Sequence, residues 1–313
     1  MNPKLAIPAV AMLATLCALP AAAEEAAACR TVRLSDPGWT DITATNGVAR
    51  ALLQGLGYKP DVKTLSVPIG YEALKSGETD VFLGNWMPAQ QKFRDDLDAS
   101  GKTEVLVQNL TGAKFTLAVT DAASDLGVKD FADLDQHKDA FQGTIYGIEP
   151  GAPANQSITK MIDEDKFGLG DWKLVESGEQ AMLAQVARND AAGTPSVFLA
   201  WAPHPMNVNL KITYLSGGDA EFGPDFGGAT VHTVARKDWI AACPNAAKLF
   251  RQLTFTVDQE NLLMGSILDE GMDAADAAKA WIAENPEAVA KWLDGVTTFD
   301  GQPGADAVMA SVK

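Results

Sequence analysis

After residue 29 the chain alternates two hydrophobic patterns. Short apolar runs at 31–35, 62–67 and 81–84 are separated by stretches at 41–56, 70–76 and 89–99 in which apolar residues recur at helical spacing. The first pattern predicts strands and the second helices that bury one face. In 41–56 the apolar set is Ile42, Val48, Leu52, Leu53 and Leu56, and Gly57 supplies a natural stop. Two more strands are predicted at 105–110 and 115–119. A second series follows: strand 144–148, helix 154–165, strand 173–176, helix 178–187, strand 197–200. Strand-like segments at 211–215 and 230–235 lead into an almost wholly helical end at 246–253, 259–270, 273–284 and 287–293, with Pro244 and Pro286 near helix starts. This alternation predicts an α/β protein with mixed sheets flanked by helices.

The first 23 residues stand outside this pattern. Lys4 precedes an apolar stretch from Leu5 to Leu19, and Ala21-Ala22-Ala23 ends it with small residues before Glu24 and Glu25. This is the three-part plan of a cleavable secretory signal peptide, and Pro8 and Pro20 break the run too early for a membrane anchor. Export to the periplasm changes how the three cysteines read. Cys17 leaves with the leader, and Cys29 and Cys243 remain in an oxidising compartment. A disulfide is then the default, with two free buried thiols as the alternative. Such a bridge would contribute on the order of 5 kcal/mol by loop-closure entropy. It would also place the start of the mature chain in one domain with the region near residue 243. The predicted organisation is therefore two lobes: residues 24–109 with 214–313 as a discontinuous first lobe, and 110–213 as the second. Two crossing strands form the hinge, and the cleft between lobes is a small-molecule site.

Composition narrows the choice of ligand. With 25 Lys+Arg against 41 Asp+Glu the net charge is −16, which excludes nucleic acid and anionic membrane surfaces as partners. Phosphate-binding glycine loops, a dinucleotide fingerprint, a serine nucleophile elbow and a zinc HExxH motif are all missing. Asp163-Glu164-Asp165-Lys166-Phe167-Gly168 opens like a calcium loop, but Phe167 takes a ligand position. His137 reads as a solvated residue, and His204 and His232 have no cysteine or carboxylate at ligand spacing. Neither a catalytic centre nor a cofactor is expected.

Seven tryptophans against four tyrosines is the unusual count. Trp172, Trp239, Trp281 and Trp292 have apolar neighbours and read as core. Trp39, Trp86 and Trp201 each stand just past the carboxyl end of a predicted strand, where open α/β sheets bind ligands. Phe115, at the start of a strand after the crossover, faces the same cleft. Aromatic faces converging on one point suit a quaternary ammonium, which carries charge but donates no strong hydrogen bond. Each desolvated cation–π contact contributes roughly 2 kcal/mol, so three or four supply most of the about 8 kcal/mol of micromolar binding. Asp41, two residues after Trp39, either caps the helix or neutralises the cation.

These residues lie in stretches that resemble the choline binders among the glycine betaine/choline-type substrate-binding proteins of ABC transporters: SDPGWTDITAT (35–45), DVFLGNWMP (80–88), GAKFTLAV (112–119), YGIEPG (146–151), EQAMLAQVAR (179–188), WAPHPMN (201–207) and FGGATVHT (226–233). The two mature cysteines match the pair of that family. The resemblance implies a monomeric periplasmic protein that captures choline and delivers it to an inner-membrane permease. It implies an aromatic cage with Trp39 and Trp86 from one lobe and Trp201 from the other, and Asp41 near the ligand's hydroxyl and charge. Two positions depart from the pattern. Phe115 stands where the cage has a tyrosine, and Ala152 where an asparagine reaches the ligand hydroxyl. Asn155, three residues on, is a possible substitute. Other methylated amines, such as glycine betaine or trimethylamine N-oxide, remain the nearest alternatives. A periplasmic enzyme acting on such compounds, or a ligand-sensing subunit for a receptor, is more remote.

Overall fold

The computed structural model describes residues 25–312. The expected leader, 1–23, and Cys17 lie outside the described residues. No helix among the described residues is long and apolar enough to cross a membrane.

The first series forms β1 (Thr31–Asp36), α1 (Thr40–Gly55), β2 (Lys59–Thr64), α2 (Val67–Ser76), β3 (Val81–Met87), α3 (Gln91–Ser100) and β4 (Thr103–Thr120). The second forms β5 (Thr144–Gly147), α4 (Pro153–Asp163), β6 (Lys173–Glu176), α5 (Glu179–Ala191) and β7 (Val197–Ala202). The short β8 (Ile212–Tyr214) and the long β9 (Gly228–Arg236) follow. In α1 the predicted apolar set is buried. Its neighbour there is α6 (Ala274–Glu284), against which Gly47 allows close approach: a Cβ at that position would lie 2.7 Å from the Ala274 carbonyl oxygen.

Three expectations are corrected. The segment at 62–67 divides, because Pro68 fixes the first turn of a helix and Val67 becomes helical. The strands at 105–110 and 115–119 are one strand, β4. Its register slips at irregularities around Val105, Leu110 and Ala113, so the strand bends instead of ending. The two lobes also do not hold separate sheets. Strand order is β2-β1-β3-β9-β4-β7-β5-β6, with β8 on β4.

The reason is the length of β4. Its first part, Thr103 to Lys114, pairs antiparallel with β9, and Lys114 to Val119 pairs antiparallel with β7. One strand thus serves both halves. On one side β2, β1 and β3 are parallel, and on the other β6, β5 and β7 are parallel. The segment after β8 stays with the second half. Ser216 donates its hydroxyl to Asp130, and the Phe222 ring packs 5.8 Å from that of Phe131. The chain returns to β3 only with β9.

Cys29 and Cys243 are bonded, with Cα atoms 5.5 Å apart. The bridge ties the entry to β1 to the start of the helix Pro244–Gln252. Trp172, Trp239, Trp281 and Trp292 are buried in the core.

Candidate functional site

The parallel strands of the two halves turn their carboxyl ends toward each other, and a cavity lies where they meet. About 450 Å³ there, counting space open to solvent, is not filled by protein atoms. Trp39, Trp86, Phe115 and Trp201 line it together with Asp41. Residues 39 to 201 are thus gathered from four elements. The placement is corrected in detail. Trp86 and Trp201 are the next-to-last residues of β3 and β7, not residues beyond the strand ends. Each strand runs on because its neighbour offers partners that far: Trp86 pairs with Val231 of β9, and Trp201 with Phe115 of β4.

Each tryptophan is held by a polar or aromatic partner. Trp39 is the N-cap residue of α1, presented by a turn in which Asp36 accepts the Gly38 amide (2.7 Å) and the Thr43 hydroxyl (3.0 Å). Its Nε1 donates to both carboxylate oxygens of Glu149, at 2.9 and 3.0 Å. Trp86 Nε1 donates to Asp41 Oδ2 at 2.9 Å. Trp201 stacks edge-on against the His204 ring, with centroids 5.1 Å apart. Phe115 meets Trp86 at right angles, with centroids 6.3 Å apart.

Asp41 therefore does not cap the helix. It is the second helical residue, 1% exposed, with one oxygen on Trp86 and Oδ1 without a partner. Burial, and then the negative charge of Glu179, push its pKa up to about 7, against the downward pull of the Trp86 bond. Glu149 is raised by burial and by Glu179 and Glu176, and Glu260 is raised well above the carboxylate range by burial and by Asp41. The site is thus crowded with carboxylates that lack a counter-charge.

The remaining walls are apolar. Ala89, Ile148, Pro153, Ala154 and Leu199 complete the lining. Gln90 also lines the cavity, but its amide is committed. Its oxygen accepts the Tyr71 hydroxyl (2.6 Å), and its nitrogen donates to the Gly84 carbonyl (2.8 Å). Two proposed residues stay outside the lining. Ala152 is buried as the N-cap residue of α4. Asn155 spends its amide on the β5–α4 loop, accepting from the Ile148 amide and donating to the carbonyls of Ile148 and Glu149 and to Glu176 Oε1.

Sequence reasoning assigned no role to Glu149, Glu179, Gln90 or His204. The first, second and last lie in quoted stretches, but only their long-range partners reveal what they do. His204 has no carboxylate at ligand spacing along the chain, but Glu179, 25 residues away in sequence, lies 3.1 Å from its Nε2.

Two parallel half-sheets hinged on shared strands, with the cavity between them, define a two-lobe substrate-binding protein. An ABC-transporter choline-binding protein in complex with choline has the same fold, with a TM-score of 0.91 and 50% identity over 92% of this chain and 100% of that one. An ABC-transporter choline-binding protein in an unliganded semi-closed conformation gives 0.84, again at 50% identity, over 91% and 99%. Residues 30–284 match the substrate-binding domain of ABC-type glycine betaine transport systems, and the chain belongs to that family. The glycine betaine/carnitine transport binding protein GbuC of Listeria monocytogenes is 29% identical over 197 residues, which span 63% of this chain and 61% of that protein.

Proposed function

We propose that the protein captures choline between its lobes and hands it to an ABC permease, acting as a monomer in the periplasm after residues 1–23 are removed. The observation that carries the choice of ligand is the inventory of polar atoms around the cage. Trp39 Nε1 and Trp86 Nε1 already have carboxylate acceptors, and the Gln90 amide is internally satisfied. Pro153, at the first turn of α4, brings no N–H. Asp41 Oδ1 is a buried acceptor without a partner, with a carboxylate's charge. A methylated cation with one hydroxyl donor fits this inventory, with the trimethylammonium group against the aromatic faces and the hydroxyl or charge toward Asp41. A ligand with its own carboxylate, such as glycine betaine or carnitine, meets Asp41 with Glu149 behind Trp39, and like charges there cost affinity. The hinge of this reading lies at Lys114 and Gly228, where β4 changes partner, rather than at 110 and 213.

Calorimetry with choline, acetylcholine, glycine betaine, carnitine and trimethylamine N-oxide tests the proposal. Choline is expected at about micromolar Kd or tighter, and glycine betaine at least about thirtyfold weaker, the worth of one unfavourable charge contact. If none of the five binds, the cage has no such ligand. Turnover of choline by the pure protein supports an enzyme instead. Mass spectrometry of the periplasmic fraction should give a chain beginning at Glu24, and an uncleaved mass contradicts the leader assignment.

A further inference from the structure

Glu179 is buried at the start of α5, outside the cage, and is not a ligand-facing residue in the arrangement above. Its carboxylate is nonetheless well occupied. Oε2 accepts the backbone N–H of Thr40 at 2.9 Å, and Oε1 accepts the Thr40 hydroxyl. His204 Nδ1 accepts the Met206 amide at 2.9 Å, so its proton sits on Nε2, which donates to Glu179 Oε1 at 3.1 Å. Thr40 is the first residue of α1, in the half built from β1 to β3. Glu179 and His204 belong to the half built from β5 to β7.

The N-cap residue of α1, Trp39, carries no capping oxygen. The first N–H groups of a helix have no partner inside it and favour an anion. Here the anion comes from the other side of the cleft. We infer that Glu179 is a cap in trans: a positioning residue that completes the first turn of α1 only when the lobes close, and thereby holds the cage shut. The same carboxylate aligns both walls. Thr40 sits between Trp39 and Asp41, and His204 packs its ring on Trp201. Trp39 adds a parallel tie through Glu149. All of these groups except Glu149 are buried. A further cross-cleft bond, Asn209 to Asp269, is exposed, and water competes for it.

Opening the cleft exchanges the buried bonds of Glu179 to Thr40 for bonds to water, and the net worth of those charge-assisted bonds favours the closed form without any contact to ligand. Its loss should therefore appear in the rate of escape, not of encounter. The role deepens the choline reading and rests on it for its ligand-bound part. The test is fluorescence energy transfer between dyes on the exposed positions Glu72→Cys and Lys160→Cys, with the native bridge intact, combined with stopped-flow binding of choline and tetramethylammonium. In Glu179→Gln, koff is expected to rise about tenfold or more while kon stays within about threefold. The closed fraction of ligand-free protein should fall by at least about fivefold on the same account. Thr40→Val keeps the backbone N–H and should raise koff by only about threefold. It also serves if Glu179→Gln does not fold. Wild-type koff and closed fraction in the variants overturn the inference, as does a loss confined to kon. If wild-type protein takes up neither cation, the choline reading fails, and the ligand-free closed fraction still decides the cap.

Discussion

Trp86→Ala should weaken choline binding by about a thousandfold, roughly 4 kcal/mol. Two losses add. One cage wall disappears, and with it a desolvated cation–π contact worth about 2 kcal/mol. The indole N–H on Asp41 Oδ2 also goes, leaving a fully buried carboxylate without a donor, which costs a further 1–3 kcal/mol or so. Trp172→Ala makes the contrast. Trp172 is equally buried, but it packs on Phe141 with centroids 5.8 Å apart, away from the cavity lining. That variant should lower the melting temperature and leave Kd within about threefold, because no ligand contact is removed. Titration of both variants by calorimetry settles the placement of the site, and equal losses of affinity would show that it lies elsewhere.

Asp41→Asn should weaken choline by about a hundredfold, near 3 kcal/mol, because the amide keeps the shape but not the charge. The pH dependence makes the test sharper. In the folded protein burial raises the Asp41 pKa to about 7, above its ordinary value. A carboxyl raised in this way favours that form at acid pH, and the advantage is lost as pH rises through about 7. A bound cation reverses the preference, since it stabilises the carboxylate and must displace the proton below that pH. The Kd for choline should therefore rise as pH falls from about 7, approaching tenfold per unit. In Asp41→Asn the slope should vanish. If the variant keeps the wild-type slope, the titrating group is Glu149 or Glu260, both of which are raised in the same neighbourhood.

Much of this was legible because it is local. The apolar spacing of 41–56 gives α1 to within a residue or two, since a helix that buries one face must repeat its apolar positions at the helical period. The four aromatics that line the cavity could be singled out because ligand sites of α/β sheets collect at strand ends. Ala152 drew attention to the start of α4, and the structure puts its neighbours Pro153 and Ala154, not Ala152 itself, in the cavity lining. The placement of strand ends was less exact. Whether β3 stops at Gly84 or runs on through Trp86 depends on whether β9 offers hydrogen-bond partners there, and β9 lies some 140 residues away.

The sequence alone determined the α/β class, made a Cys29–Cys243 bridge the default over two free thiols, and brought Trp39, Trp86, Trp201, Phe115 and Asp41 forward as candidates for one cleft. All of these rest on residue type and local period. Only the tertiary structure decided what each polar atom does. It gave Asp41 to Trp86 instead of the helix end, took Asn155 out of the site, and fused the two expected sheets through β4. It also paired Glu149 with Trp39 and Glu179 with Thr40 and His204, across separations of 110, 139 and 25 residues. A carboxylate's role is set by which donors reach it in the folded chain. Donors from the opposite lobe arrive only when the cleft is closed, so no spacing along the sequence encodes them.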